Sequence, residues 1–237
     1  MKYLRYFLLF TCTLVVVQAK TNAQTSVDLK RFYFPYSNFF TPVVYQFVDQ
    51  LKPENVQYWR MQTQIIGGDT ILTTKTYDHT FTEVERVVEK ITPQGSQLTQ
   101  MRLMIDGKLQ QTQLGQKQVY RWHQPIGQKL AWDINYVSSY GRENLLKQRT
   151  RLGKVRFTSR SGKTHQAIKF KDHYTRTVQK GKQSDALSLY QYSIYGKGLG
   201  TVEYQRFYQG KMILHYKLVR VINVQDWKRQ KKRKNRK

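Results

Sequence analysis

The sequence predicts an all-β protein, an antiparallel meander forming a strongly curved sheet or open barrel. Three observations predict it. Tight-turn signals recur between short runs rich in β-branched and aromatic residues. Apolar and polar positions alternate within the runs, as in Gln57–Ile65, where Trp59, Met61, Thr63 and Ile65 interleave with Arg60, Gln62 and Gln64. Aromatic content is high, with 17 Tyr and 11 Phe in 237 residues, which suits a packed body rather than a disordered chain.

The first element is an export segment. Lys2 and Arg5 precede an apolar run from Tyr6 to Val17, and small-residue cleavage options follow at Val17-Gln18-Ala19 and Thr21-Asn22-Ala23. This layout is that of a signal peptide, 1–23, with Gln24 as the expected mature N-terminus and Lys20 as second choice. The run is about a dozen residues, short of the roughly 20 a spanning helix needs. Cys12 is the one cysteine and lies inside this run rather than at its end, so neither lipidation nor disulfides are expected.

Residues 24–227 read as a single β domain. The aromatic cluster Phe32-Tyr33-Phe34-Pro35-Tyr36 with Phe39-Phe40 either lines a ligand groove or closes one end of the core, closure being the default. Gly67-Gly68 separates Val56–Ile66 from Thr70–Tyr77. Asp106-Gly107 separates Gln97–Ile105 from Lys108–Gln113 and suits a type I′ turn. Ser161-Gly162 and Gln209-Gly210 mark two further hairpins, Lys154–Arg160 with Lys163–Tyr174 and Val202–Tyr208 with Lys211–Ile222. Residues 81–91 carry both helical spacing and β-branching and are read as strand. Residues 228–237 hold eight Lys or Arg and no apolar side chain, and are expected to form a disordered basic tail.

The net charge of +26 is unevenly spread. Residues 24–111 are neutral, 112–227 carry +15 and the tail +8. Strand alternation predicts that Lys147, Arg149 and Arg151 share one face, with Lys154, Arg156, Arg160, Lys163, Lys169 and Lys171 extending the cationic surface. A solvated outer face explains scattered lysines. Net +11 in residues 142–182 points equally to an anionic partner, because like charges repel across a sheet. These nine residues, with Lys231, Lys232, Arg233 and Lys234 of the tail, form the candidate anion-binding set. Anionic lipid, lipopolysaccharide and acidic polysaccharide are the candidate partners, with peripheral membrane contact.

Motifs for chemistry are sparse, and no catalytic residue, metal site or cofactor is assigned. Ser161-Gly162-Lys163-Thr164 imitates the end of a P-loop, but Phe157 stands where the loop requires glycine. Gly196, Gly198 and Gly200 suit a bulge or close backbone approach. Neither the five histidines nor Glu83, Glu85 and Glu89 form a recognisable site, and the glutamates are expected on a solvated face.

Short motifs appear in a definite order: Phe34-Pro35-Tyr36, Pro42-Val43-Val44-Tyr45, Tyr58-Trp59-Arg60-Met61, Tyr195-Gly196-Lys197-Gly198-Leu199-Gly200 and Leu214-His215-Tyr216-Lys217-Leu218. This order resembles a group of exported β-rich envelope proteins of Gram-negative bacteria with no established activity. It is more distantly similar to lipoprotein-carrier-type half-barrels that hold acyl chains. The resemblance implies a curved sheet in the periplasm or cell envelope and transfers no functional residue. The expectation is a non-catalytic binding protein whose basic sheet face meets anionic headgroups and whose concave face can hold an apolar ligand. The alternatives are an exported hydrolase with a dispersed active site and, against the export signal, a nucleic-acid-binding protein.

Overall fold

Alternating side chains and tight turns fold residues 43–223 into one 14-stranded antiparallel sheet in which two short strands, Gln113–Leu114 and Gln118–Arg121, alone depart from the order of the chain. The computed structural model describes residues 27–234; the expected signal peptide, with Cys12 and the cleavage sites, lies outside the described residues, as do residues 235–237. The first half comprises β1 (Val43–Asp49), β2 (Val56–Ile66), β3 (Asp69–Tyr77), β4 (Glu83–Thr92), β5 (Gly95–Ile105) and β6 (Lys108–Gln111). Three strands follow, β7 (Gln113–Leu114), β8 (Gln118–Arg121) and β9 (Lys129–Ser138). The long strands β10 (Gly141–Thr158), β11 (Thr164–Lys180), β12 (Gln183–Gly196), β13 (Gly200–Tyr208) and β14 (Lys211–Asn223) complete the sheet.

β1 pairs with β2 on one side and β14 on the other, so the sheet curls into a barrel. One seam remains between β5 and β9. Residues 112–121 bridge it: β7 pairs with β9, β8 pairs with β5, and the Leu98 and Thr112 amides donate to Lys117 O and Met101 O at 2.7 and 3.0 Å. The expected curved meander is therefore a nearly closed barrel. Residues 83–92 are strand, as read from their β-branching.

All four expected hairpins form. At the β5–β6 turn Asp106 and Gly107 adopt φ of 48° and 74°, the paired positive values of a type I′ turn. The Asp106 carboxylate also spans the seam, accepting from the Ser139 amide at 2.7 Å and its hydroxyl at 2.9 Å.

The aromatic N-terminal cluster closes one end of the barrel. Residues 29–39 form two short 3-10 turns that bury Leu29, Phe32, Tyr33, Phe34 and Phe39. The Leu29 amide donates to Trp122 O and the Thr63 amide to Phe39 O, both at 2.8 Å. Phe34 lies so close to Gly200 that a Cβ there would sit 2.2 Å from its ring, the close approach anticipated for this glycine run. Each buried aromatic side chain contributes roughly 1.5–3 kcal/mol through the area it removes from water.

The tail departs from expectation. Residues 224–234 form a helix, α1 (Val224–Lys234), rather than a disordered segment. Asn223 Oδ1 accepts from the Asp226 amide at 2.8 Å and caps its start. Trp227 anchors it, buried with Tyr58, Tyr77 and Phe81 on the outside of β2 and β3. The basic residues are strong helix formers, and Trp227, against three rings, holds them to the wall.

Candidate functional site

Direct cross-strand pairing aligns the interior side chains of β9–β14, because paired residues share a sheet face. One interior row reads Leu130, Arg149, Asp172, Gln191, Arg206 and Leu214. Beside it runs Trp132, Lys147, Tyr174 and Leu189. These rows face Trp59, Val87, Leu98, Met101 and Leu103 across a cavity of about 520 Å³. Tyr33 and Phe34 reach it from the stoppered end, and exposed Leu187 marks its rim. The walls are mainly apolar, and the cations lie on the β10–β13 side.

Asp172 organises that side. It is fully buried and takes two bonds from Arg149, Nε to Oδ1 at 2.6 Å and Nη2 to Oδ2 at 3.0 Å. Ser193 donates at 2.8 Å and Lys147 Nζ stands 3.3 Å away. Burial opposes its charge, but Arg149 and Lys147 outweigh burial and hold the carboxyl well below the usual range. Lys147 lies between the rings of Trp132 and Tyr174, 5.8 and 5.0 Å from their centroids. Arg206 donates through Nε and Nη2 to Gln191 Oε1 at 3.2 and 3.0 Å, with Tyr174 5.3 Å from its guanidinium carbon.

Two glutamates enter from β4. Burial pushes the Glu89 carboxyl up; Tyr33 donates its hydroxyl to it. Burial likewise raises Glu85, against the pull of Lys147 and Arg206, and Thr76 donates to it at 3.4 Å. The solvated face expected for the glutamates holds for neither; Glu83 instead pairs with Arg86 at 2.6 Å. Near the rim Arg176 binds Glu143, whose carboxyl falls to about 2, chiefly through those hydrogen bonds.

The expected single cationic face is divided. Lys147, Arg149 and Arg151 point inward, correcting their assignment to an outer anion-binding surface; Leu152 is instead exposed. Arg151 is buried and donates to Gln124 O at 2.8 Å. The inversion has a physical cause: Asp172 sits opposite Arg149 in the register and neutralises cations that could not otherwise enter the barrel. Past a register shift at Gly153, Lys154, Arg156, Arg160 and Lys163 are exposed on the β10–β11 hairpin. Lys169 and Lys171 also face outward, their ammonium groups 4.2 and 4.8 Å from the rings of Tyr192 and Tyr190. The tail cations lie elsewhere. Lys231 reaches Phe81 O at 3.3 Å, Lys232 and Arg233 are exposed, and Lys234 ends α1.

Sequence reasoning missed Asp172, Arg206, Glu85 and Glu89 as interior groups. A signal existed for the first: alternation in Ile168–Asp172 puts the carboxylate on the face of Ile168 and Phe170. Among the described residues no cluster of three metal-ligating side chains occurs. His215 meets a carboxylate, Glu203 at 2.8 Å, with Gln205 at 3.3 Å from the same ring nitrogen.

No family model and no curated protein matches the chain. Two solved structures share its fold. One, from Parabacteroides distasonis and classed as a lipoprotein, is 11% identical with a TM-score of 0.51, over 80% of this chain and 95% of its own. The other, from Bacteroides fragilis and classed as an exported protein with a YmcC-like fold, is 10% identical with a TM-score of 0.52, over 80% of this chain and 98% of its own. The chain is thus distantly similar to exported β-rich proteins of this kind, and what it shares with them is the barrel.

Proposed function

We propose that this is an exported envelope protein that binds an apolar ligand inside its barrel and does not transform it. The cavity carries this reading. Its volume of about 520 Å³ falls within the range of small-molecule pockets, roughly 300–1,000 Å³. Its walls are mostly apolar and its polar groups project into the same space, the arrangement that orients a ligand. The signal-peptide layout of residues 1–23 supports export, and the fold is shared with proteins classed as exported.

The outer cations supply a second contact, with anionic lipid, lipopolysaccharide or acidic polysaccharide. Glu143, Asp172 and Glu203 are engaged by Arg176, by Arg149 and Lys147, and by His215. Among the described residues, Lys154, Arg156, Arg160, Lys163, Lys169 and Lys171 have no carboxylate within 4.0 Å. Their charge is available to a partner.

Binding of a neutral, environment-sensitive dye such as N-phenylnaphthylamine tests the cavity. The purified protein is expected to enhance its fluorescence, and a long-chain fatty acid or alcohol to displace it. Leu103→Trp, which fills space at a half-buried wall position, should weaken dye binding severalfold while leaving the β-sheet spectrum unchanged. Absence of dye binding, or binding unaltered in a folded Leu103→Trp variant, would reject an interior site.

A further inference from the structure

We propose that the cavity selects a single-chain amphiphile with an acidic head, carboxylate or phosphate, which is met by Arg206 and Lys147. This rests on the binding reading above and adds the chemistry of the ligand's head.

Placement is the first argument. Arg206 and Lys147 occupy adjacent interior rows, with Tyr174 between them and in contact with both. They line one cavity with Met101, Leu103 and Leu145, so a cationic pair and apolar side chains face the same space. An amphiphile offers both kinds of surface.

Unspent hydrogen-bonding capacity is the second. A guanidinium has five N–H donors, yet the bonds of Arg206 run from Nε and Nη2 to a single amide oxygen. Among the described residues it has no carboxylate within 4.0 Å. Lys147 carries three donors, and among the described residues its one ion pair is the 3.3 Å contact with Asp172. Asp172 offers one negative charge to two cations, and Arg149 takes it in two hydrogen bonds.

The third argument is sign. A cationic head would stand against Arg206, Lys147 and Arg149 in a space of low dielectric. Glu85 is the cavity carboxylate that acts on both Arg206 and Lys147, and burial favours its protonated form. In that form it donates a hydrogen bond to an anionic head.

Displacement of the neutral dye from the full-length protein tests this with four probes of one chain length: a fatty acid, an alkyl phosphate, the alcohol and the alkyltrimethylammonium. At least one acid should displace the dye at a concentration about tenfold or more below that of the alcohol, because charge-assisted hydrogen bonds are about twice as strong as neutral ones. The ammonium should be weakest. The two acidic arms separate a carboxylate from a phosphate preference, and a preference for either supports the proposal. Arg206→Gln should remove most of the acid's advantage while leaving the alcohol unchanged, and Glu85→Gln should preserve it. Equal displacement by all heads overturns the acidic-head proposal and leaves the interior site standing. Strongest displacement by the ammonium also overturns it. Failure of every probe overturns both readings. The probe series on the unmodified protein decides the matter even where a variant does not fold.

Discussion

Asp172 shows how a carboxylate can lie at the centre of a barrel and remain charged. Desolvation of such a group costs several kcal/mol, and two cations with matched hydrogen bonds offset it. Removing the acid alone strands Arg149 and Lys147 in the interior. Asp172→Ala should therefore lose about 3–5 kcal/mol of unfolding free energy in urea. The triple replacement Asp172→Leu with Arg149→Met and Lys147→Met should lose much less, since it removes all three charges; equal losses would show that the cluster stabilises in some other way. This cluster also marks the limit of strand periodicity. Alternation correctly placed Lys147, Arg149 and Arg151 together on one side of β10, but it carries no label for inside and outside. The face holding three cations was read as the wet one. The inward acid of the neighbouring strand is what reverses that choice, and it becomes visible only once Arg149 is known to stand opposite Asp172.

Hairpins were the most legible elements because their turns need particular residues, as at Asp106-Gly107. The helix α1 was not legible. Its ten-residue basic stretch looks unable to bury anything, and the anchoring Trp227 lies one position before the stretch begins. The β10–β11 hairpin carries the anion-binding reading in revised form, with Lys154, Arg156, Arg160 and Lys163 replacing the interior cations as its core. Each such cation is worth roughly 1 kcal/mol at an anionic membrane, fading over a Debye length of about 10 Å at 0.1 M salt. Replacing all four by Gln should weaken binding to anionic vesicles at least tenfold at low salt and flatten its salt dependence. Equal binding of the unmodified protein to neutral and anionic vesicles would falsify this role.

Stability of the whole barrel should vary with pH in two opposed ways. Glu143, at about 2 against an ordinary 4.5, and Asp172, below its ordinary 3.8, are depressed by their cations. Their contribution is complete above the unfolded values and is lost as pH falls from there through the folded ones. Glu85 and Glu89 are raised by burial, so the folded protein takes up protons before the unfolded chain does. Stability from these two therefore increases as pH falls toward 4.5. The melting temperature should peak on the acid side of neutrality and drop below about pH 4. A steady decline from pH 7 to pH 5 would contradict the interior placement of the two glutamates. Strand order has a different consequence, one of timing. Every hairpin pairing joins near neighbours in the chain and can zip as soon as both strands have been made. Apart from the β5–β8 and β7–β9 pairs that bridge the seam, the exception is β1 with β14, where Val43 meets Asn223 across almost the whole described sequence. Until β14 arrives, β1 presents a bare strand edge, the feature by which sheets aggregate. Helix α1 follows β14 directly and packs outside β2 and β3, beyond the junction it has just completed. Helix α1, made after β14, is thus a clasp that holds the first and last strands of the sheet together.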